Sequence, residues 1–175
     1  MHEVAARRQE PELHRRFRSV YEDTVDDVFG FLRLRVGGNR QLAEDLTAET
    51  YAAAVRLFNE GRDAEVTLSW LRTVARRRLI DHWRRVSVAD SKVAVLADRV
   101  PVRPETEVVE QRELVIASLG RLSDAQRRVL VLRHVDGYPV ARIAELLGRS
   151  EKGVESLLVR ARAAFREAYE EVSRD

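Results

Sequence analysis

The chain has 175 residues, enough for one or two small domains that each bury a core of their own. Eight glycines and four prolines against 34% charged residues favour helix throughout, and the absence of cysteine excludes disulfides, thiolate zinc sites and cysteine nucleophiles. A formal charge of +2 would not by itself draw the chain to nucleic acid, so the placement of the charges decides that question.

In chain order, Pro11 precedes an apolar-periodic segment over 13–36. There Phe17, Val20, Tyr21, Val25, Val28, Phe29 and Leu32 recur at helical spacing. Gly37 and Gly38 stop it, and Asn39 is suited to cap a second helix over about 40–58, with Leu42, Leu46, Ala53, Ala54, Leu57 and Phe58 inward. The polar stretch NEGRDAE, 59–65, reads as a turn. A third helix over about 66–85 buries Leu68, Leu71, Val74, Ala75 and Leu79, and the three make one bundle.

Residues 87–106 carry Pro101, Pro104 and many small polar side chains, and read as a flexible linker. A helix follows over about 105–119. Ser123 and Gln126 have capping-box spacing and open the next helix, which Gly137 ends beyond Val135. The stretch YPVARIAELLGRSEKGVESLLVRAR, 138–162, then has the pattern of a helix-turn-helix. Ile143, Ala144 and Leu147 form one stripe, Gly148 suits a left-handed turn, and Ser150 suits the cap of a helix whose inner face is Val154, Leu157 and Leu158. In the DNA-binding form of the motif, the second helix reads the major groove near its N-terminal end. The expected fold is all-α: a bundle over 11–86, a flexible linker over 87–106, and a second bundle with the helix-turn-helix over 107–172.

Charge is unevenly distributed. Residues 69–86 hold six arginines (Arg72, Arg76, Arg77, Arg78, Arg84 and Arg85) against the single acid Asp81, a net of +5. Asp81 is four residues from Arg77 and from Arg85, pairings worth only about 0.2–0.5 kcal/mol each. The excess suits phosphate contacts. Trp83 within it could stack on an unpaired base or cover the edge of the core, whereas Trp70 reads as core. The second helix is the inverse: Glu44, Asp45 and Glu49 crowd one end, and Glu49 lies too far along to gain much from the helix dipole. A cationic protein partner accounts for it better.

Catalytic chemistry finds no foothold. His2, His14, His82 and His134 fall on separate elements without metal-ligand spacing, and there is no phosphate loop or nucleophile elbow. The expectation is a protein that is no enzyme, has no catalytic residue, metal or cofactor, and enters no membrane. No segment has the apolar length of a signal peptide or a span, which points to the cytoplasm.

The acidic helix AEDLTAETYAAA, the basic helix WLRTVARRRLIDHWRR and the segment LSDAQRRVLVLRHVDGYPVARIAELLGRSEKGVESLLVRARAAFRE, in that order, resemble bacterial sigma factors of the extracytoplasmic-function group. The match covers about 17–167 and implies two functional regions, two and four. It implies that Asp45, Leu46 and Glu49 dock on the clamp helices of the largest subunit of core RNA polymerase. By the same resemblance Asn59, Arg62 and their loop capture a flipped base of the minus-ten element. Arg72, Arg76, Arg77, Trp83, Arg84 and Arg85 meet the melted single strand of promoter DNA. Arg149, Ser150, Glu151, Lys152, Glu155, Ser156 and Arg160 read the minus-thirty-five element as duplex.

The sequence departs from that pattern at Arg77, where many relatives have asparagine, at Pro139, which replaces a frequent serine cap, and at Glu155 and Leu157, where lysine and arginine are common. An anti-sigma factor is a common partner in the group, although no residue here identifies one. The residues alone also admit a free-standing helix-turn-helix transcriptional regulator with a sensor or dimerisation bundle, and a helical module for an acidic protein partner.

Overall fold

The computed structural model describes the backbone of residues 2–87 and 109–174, with side chains over 12–86 and 110–174. The expected linker, apart from residue 87, and the expected start of the fourth helix lie outside the described residues. Among the described residues seven α-helices follow one another: α1 (His2–Arg35), α2 (Arg40–Asn59), α3 (Leu68–Ser87), α4 (Val109–Gly120), α5 (Asp124–Leu130), α6 (Val140–Leu147) and α7 (Glu151–Val172). A single 3-10 turn, Asp63–Glu65, lies between α2 and α3, and α5 runs into a wide π turn, Val131–Val135. No strand occurs among the described residues.

Most boundaries follow from local chemistry. The Asn39 side chain accepts from Leu42 N at 3.1 Å and opens α2. Ser123 and Gln126 form a reciprocal capping box on α5. Ser150 accepts from Gly153 N at 3.1 Å, satisfying an orphan donor of α7. Thr67 does the same for α3, accepting from Trp70 N at 3.2 Å. The expected start of the first helix is corrected: α1 continues N-terminally through Pro11, where the missing N–H removes one backbone bond without ending the helix.

Helices α1, α2 and α3 pack on one another, and α7 packs against α4, α5 and α6. Leu32, Leu46, Leu71 and Leu79 are fully buried in the first bundle, and Val129, Leu132, Ile143 and Val154 in the second. Two buried threonines are satisfied within α2, Thr47 donating to Ala43 O at 2.7 Å and Thr50 to Leu46 O at 2.8 Å. The bundles also touch each other, α1 against α4 and α3 against α6. Their buried apolar residues form one cluster that reaches from Val28 to Ala168.

The turn between α6 and α7 depends on Gly148, whose φ is +61°. A Cβ added there would meet nothing within 4 Å, so the need for glycine is conformational rather than steric. Replacing Gly148 with alanine is expected to cost about 1–2 kcal/mol through the left-handed backbone alone. A lowered urea midpoint at unchanged slope is the expected result, and an unaltered midpoint would show that the turn does not need this conformation.

Candidate nucleic-acid interface

On α2, Asp45 is exposed and Glu49 half-exposed, four residues apart on one face. Local pairing is loose: Gln41 Nε2 donates to Asp45 at 3.2 Å, and Arg78 Nε stands 4.0 Å from Glu49. Leu46 lies on the inward stripe expected of the second helix. It is 1% exposed, held in the first bundle's core, because α2 turns its leucine stripe opposite to its carboxylates. In this arrangement it supports the acidic face from beneath.

The loop after α2 is ordered by charge. Arg62 donates to Glu65 at 2.8 and 3.0 Å and to Glu60 at 3.1 Å; these bonds raise its pKa, and Arg62 in turn lowers that of Glu65. Arg16 of α1 pairs with Asp63 and ties the loop to the first helix. Asn59 and Arg62 are both exposed, so the loop presents them outward.

The basic strip of α3 is divided. Arg77 and Arg85 are exposed, and no ion pair joins either to Asp81 among the described residues. Arg72 donates to Asp27 of α1 at 3.0 Å. Arg76 is buried, 8% exposed, and its Nε donates to Asp136 Oδ1 at 3.1 Å. Arg84 Nε lies 3.4 Å from Leu146 O, at the end of α6. Trp83 is 4% exposed, so the core alternative holds for it in this arrangement, and its carbonyl accepts from Arg128 Nη1 at 3.3 Å. Trp70 is only half-buried, packed against the margin of the core.

Two residues absent from the sequence reading organise this region. Asp136 is 1% exposed, and the same oxygen that binds Arg76 accepts from Arg35 Nε at 3.2 Å and Nη2 at 2.8 Å. Arg35 also donates to Phe31 O at 2.8 Å, with its guanidinium 3.4 Å from the Phe31 ring centroid. No local signal could have found them. The partners stand 101 and 60 residues apart, and Asp136-Gly137 reads simply as a turn.

The N-terminal end of α7 is uncovered. Arg149, Ser150, Glu151, Lys152, Glu155, Ser156 and Arg160 are all exposed. The Ser150 hydroxyl is committed to its cap, and Arg160 Nε rests 3.5 Å from Ser156 O. Leu157 is buried with Val154, Leu158 and Ala161 on the inner stripe. At that position the helix commits its side chain to packing.

A cavity of about 290 Å³ lies between the bundles, lined by Asp45, His82 and Trp83 on one side and Asp124, Arg127 and Arg128 on the other. The imidazole of His82 is pushed down by burial and then by Arg85 and Arg128, against smaller opposite effects of Glu49 and Asp124. Among the described residues no group of three or more His, Asp or Glu side chains could hold a metal ion. Nor is any described helix long and apolar enough to cross a membrane.

An acidic helical face, a basic helix beside it and a helix-turn-helix with a free second helix define a bipartite, helical DNA-binding protein. Residues 20–88 match the family model of sigma-70 region 2, and residues 112–165 match sigma-70 region 4. The sequence is 32% identical over 155 residues to the ECF RNA polymerase sigma factor BldN of Streptomyces coelicolor, covering 83% of this chain and 57% of that protein's length. It is 28% identical over 154 residues to the ECF RNA polymerase sigma factor SigM of Bacillus subtilis, covering 86% and 93%. Among solved structures, the sigma factor RpoE in complex with the anti-sigma factor NepR from Bartonella quintana is similar at 19% identity, with a TM-score of 0.47 and coverage of 88% and 96%. The chain belongs to the sigma-70 family, in its extracytoplasmic-function group.

The depressed His82 and His134 fix the sign of one pH dependence. Burial lowers both, with Arg162 and Arg133 adding to the effect at His134. The unfolded chain then binds more protons near pH 6, so stability falls as pH drops from the ordinary histidine value through the folded ones. The urea midpoint is expected to decline between pH 7 and 5, and His82→Gln to flatten part of that decline. A midpoint that holds or rises on acidification contradicts the assignment.

Proposed function

We propose that this chain is a dissociable initiation subunit that docks on core RNA polymerase, recognises the minus-thirty-five and minus-ten promoter elements and helps open the DNA. The observation that carries this reading is the presence in one chain of both sigma-70 regions, the first with opposed acidic and basic helices. The reading concerns the segment held in common with its relatives.

Asp45 and Glu49 present the docking face toward the clamp helices of the largest polymerase subunit, with Leu46 fixing their helix. The loop with Asn59 and Arg62 receives a flipped base. Arg72, Arg76, Arg77, Arg84 and Arg85 follow the phosphates of the melted strand, with Trp83 at its edge. Unpairing costs a few kcal/mol per base, which captured bases and phosphate contacts would offset. Each phosphate contact releases counterions, so opening should weaken with salt.

Arg149, Ser150, Glu151, Lys152, Glu155, Ser156 and Arg160 line the end of α7 that would enter the upstream duplex. In this reading the chain catalyses nothing itself, acts in the cytoplasm and uses no cofactor. An anti-sigma partner belongs to the reading through family membership, with no residue assigned to it.

Adding the purified chain to core polymerase should start transcription at a defined promoter, and failure to form a holoenzyme would overturn the proposal. Asp45→Arg with Glu49→Arg is expected to weaken core association at least about tenfold, roughly 1.4 kcal/mol. Arg77→Ala with Arg85→Ala should spare association and impair opening, followed by permanganate reactivity of unpaired thymines. Equal loss of both steps in either variant would refute the division between α2 and α3.

A further inference from the structure

We infer that Glu155 selects a base, and that the duplex read by α7 carries a cytosine whose N4 amino group donates to the Glu155 carboxylate. The inference rests on the reading of α7 as the duplex-reading helix, and names a base which that helix prefers.

The ordinary reasons for a glutamate on a helix do not account for this one. Glu151 already fills the first turn of α7, where the helix dipole favours an acid, and Glu155 lies a turn further on. Lys152 stands three residues before it, yet no ion pair joins the two. Among the described residues the Glu155 carboxylate has neither an ion pair nor a hydrogen bond, and it is exposed. Val154, Leu157, Leu158 and Ala161 are turned inward, so Lys152, Glu155, Ser156 and Val159 share the outward side of the helix. Val159, one turn beyond Glu155, is 64% exposed, the most open large apolar side chain among the described residues. The free carboxylate thus sits beside an apolar side chain on the surface that a groove would cover.

Docking that surface in a major groove removes water from Glu155 and Val159 together. An ionised carboxylate only accepts hydrogen bonds, and one left unpaired in a dehydrated contact is strongly unfavourable. Only two groups in the groove donate, N4 of cytosine and N6 of adenine. Adenine sets the acceptor N7 beside its amino group, which repels the second carboxylate oxygen, whereas cytosine sets a C5–H there. Guanine and thymine offer no donor at all. A glutamate therefore accepts cytosine and turns away the other three bases. The exposed Lys152 and Arg160 offset its charge against the phosphates on approach.

The test is a selection from a random duplex library by the full chain bound to core polymerase, with the captured sequences read out. The parent should enrich cytosine about tenfold over the other bases at one position. Glu155→Gln should turn that position to adenine, whose N6 and N7 suit an amide, with preferences elsewhere kept. Glu155→Lys should turn it to guanine, whose O6 and N7 suit an ammonium. Circular dichroism should match the parent in both variants, since Glu155 is exposed. Cytosine kept in either variant overturns the contact, and so does a parent that enriches another base at the position that switches. A uniform weakening at all positions marks a structural role and overturns it as well. Failure of the parent to bind core polymerase defeats the proposed function instead. The chain alone then undergoes the same selection, where the switch from cytosine to adenine and guanine still supports Glu155 and any other pattern overturns it.

Discussion

Arg35, Arg76 and Asp136 meet where the two helical bundles join, and burial makes their geometry binding on everything around them. Charges removed from water cost several kcal/mol each, and that cost is recovered only with tight pairing and further hydrogen bonds. Here one carboxylate oxygen serves both guanidinium groups. Phe31 adds its carbonyl to Arg35 and its ring face to both arginines, at 3.4 and 5.4 Å from the centroid. Such a cluster contributes little net stability over an apolar one, but removing one member leaves the others uncompensated, a loss of about 3–5 kcal/mol. Its strength is in position. It fixes where α5 ends relative to α1 and α3.

The backbone around Asp136 is shaped for that task. The π turn Val131–Val135 widens the end of α5, and the Asp136 amide bonds Val131 O, five residues back, at 2.9 Å. Gly137, with φ of +74°, then turns the chain toward α6. At the far end of the same junction arginines take backbone carbonyls in both directions, Arg84 from the last turn of α6 and Arg128 from Trp83 near the end of α3. The exposed Arg33–Glu113 pair, at 2.5 and 2.7 Å, closes the rim and is worth little in water. A buried carboxylate and a left-handed glycine thus set the geometry at one place in a junction whose apolar residues are otherwise continuous.

Helices and caps were legible from sequence because their causes are local. Asn39, Ser123 with Gln126, Gly148 and Ser150 each act within a few residues of themselves, and each does so as the spacing implied. The inner stripes of α3 and α7 were legible for the same reason. What escaped was long-range. Six arginines in one helix read as a uniform cationic strip, yet one of the six is a core ion whose counter-charge comes from the other bundle. Trp83 offered two readings, and only its tertiary surroundings show that it is buried in this arrangement.

The uncovered end of α7 has a consequence of its own. Arg149, Lys152 and Arg160 are interleaved there with Glu151 and Glu155, and all five are exposed. A surface so nearly balanced displaces few condensed cations from a double helix, so its grip should depend only shallowly on ionic strength. In the proposed setting that bundle would add discrimination rather than tenacity. The hold on DNA would then have to come from the enzyme that carries it.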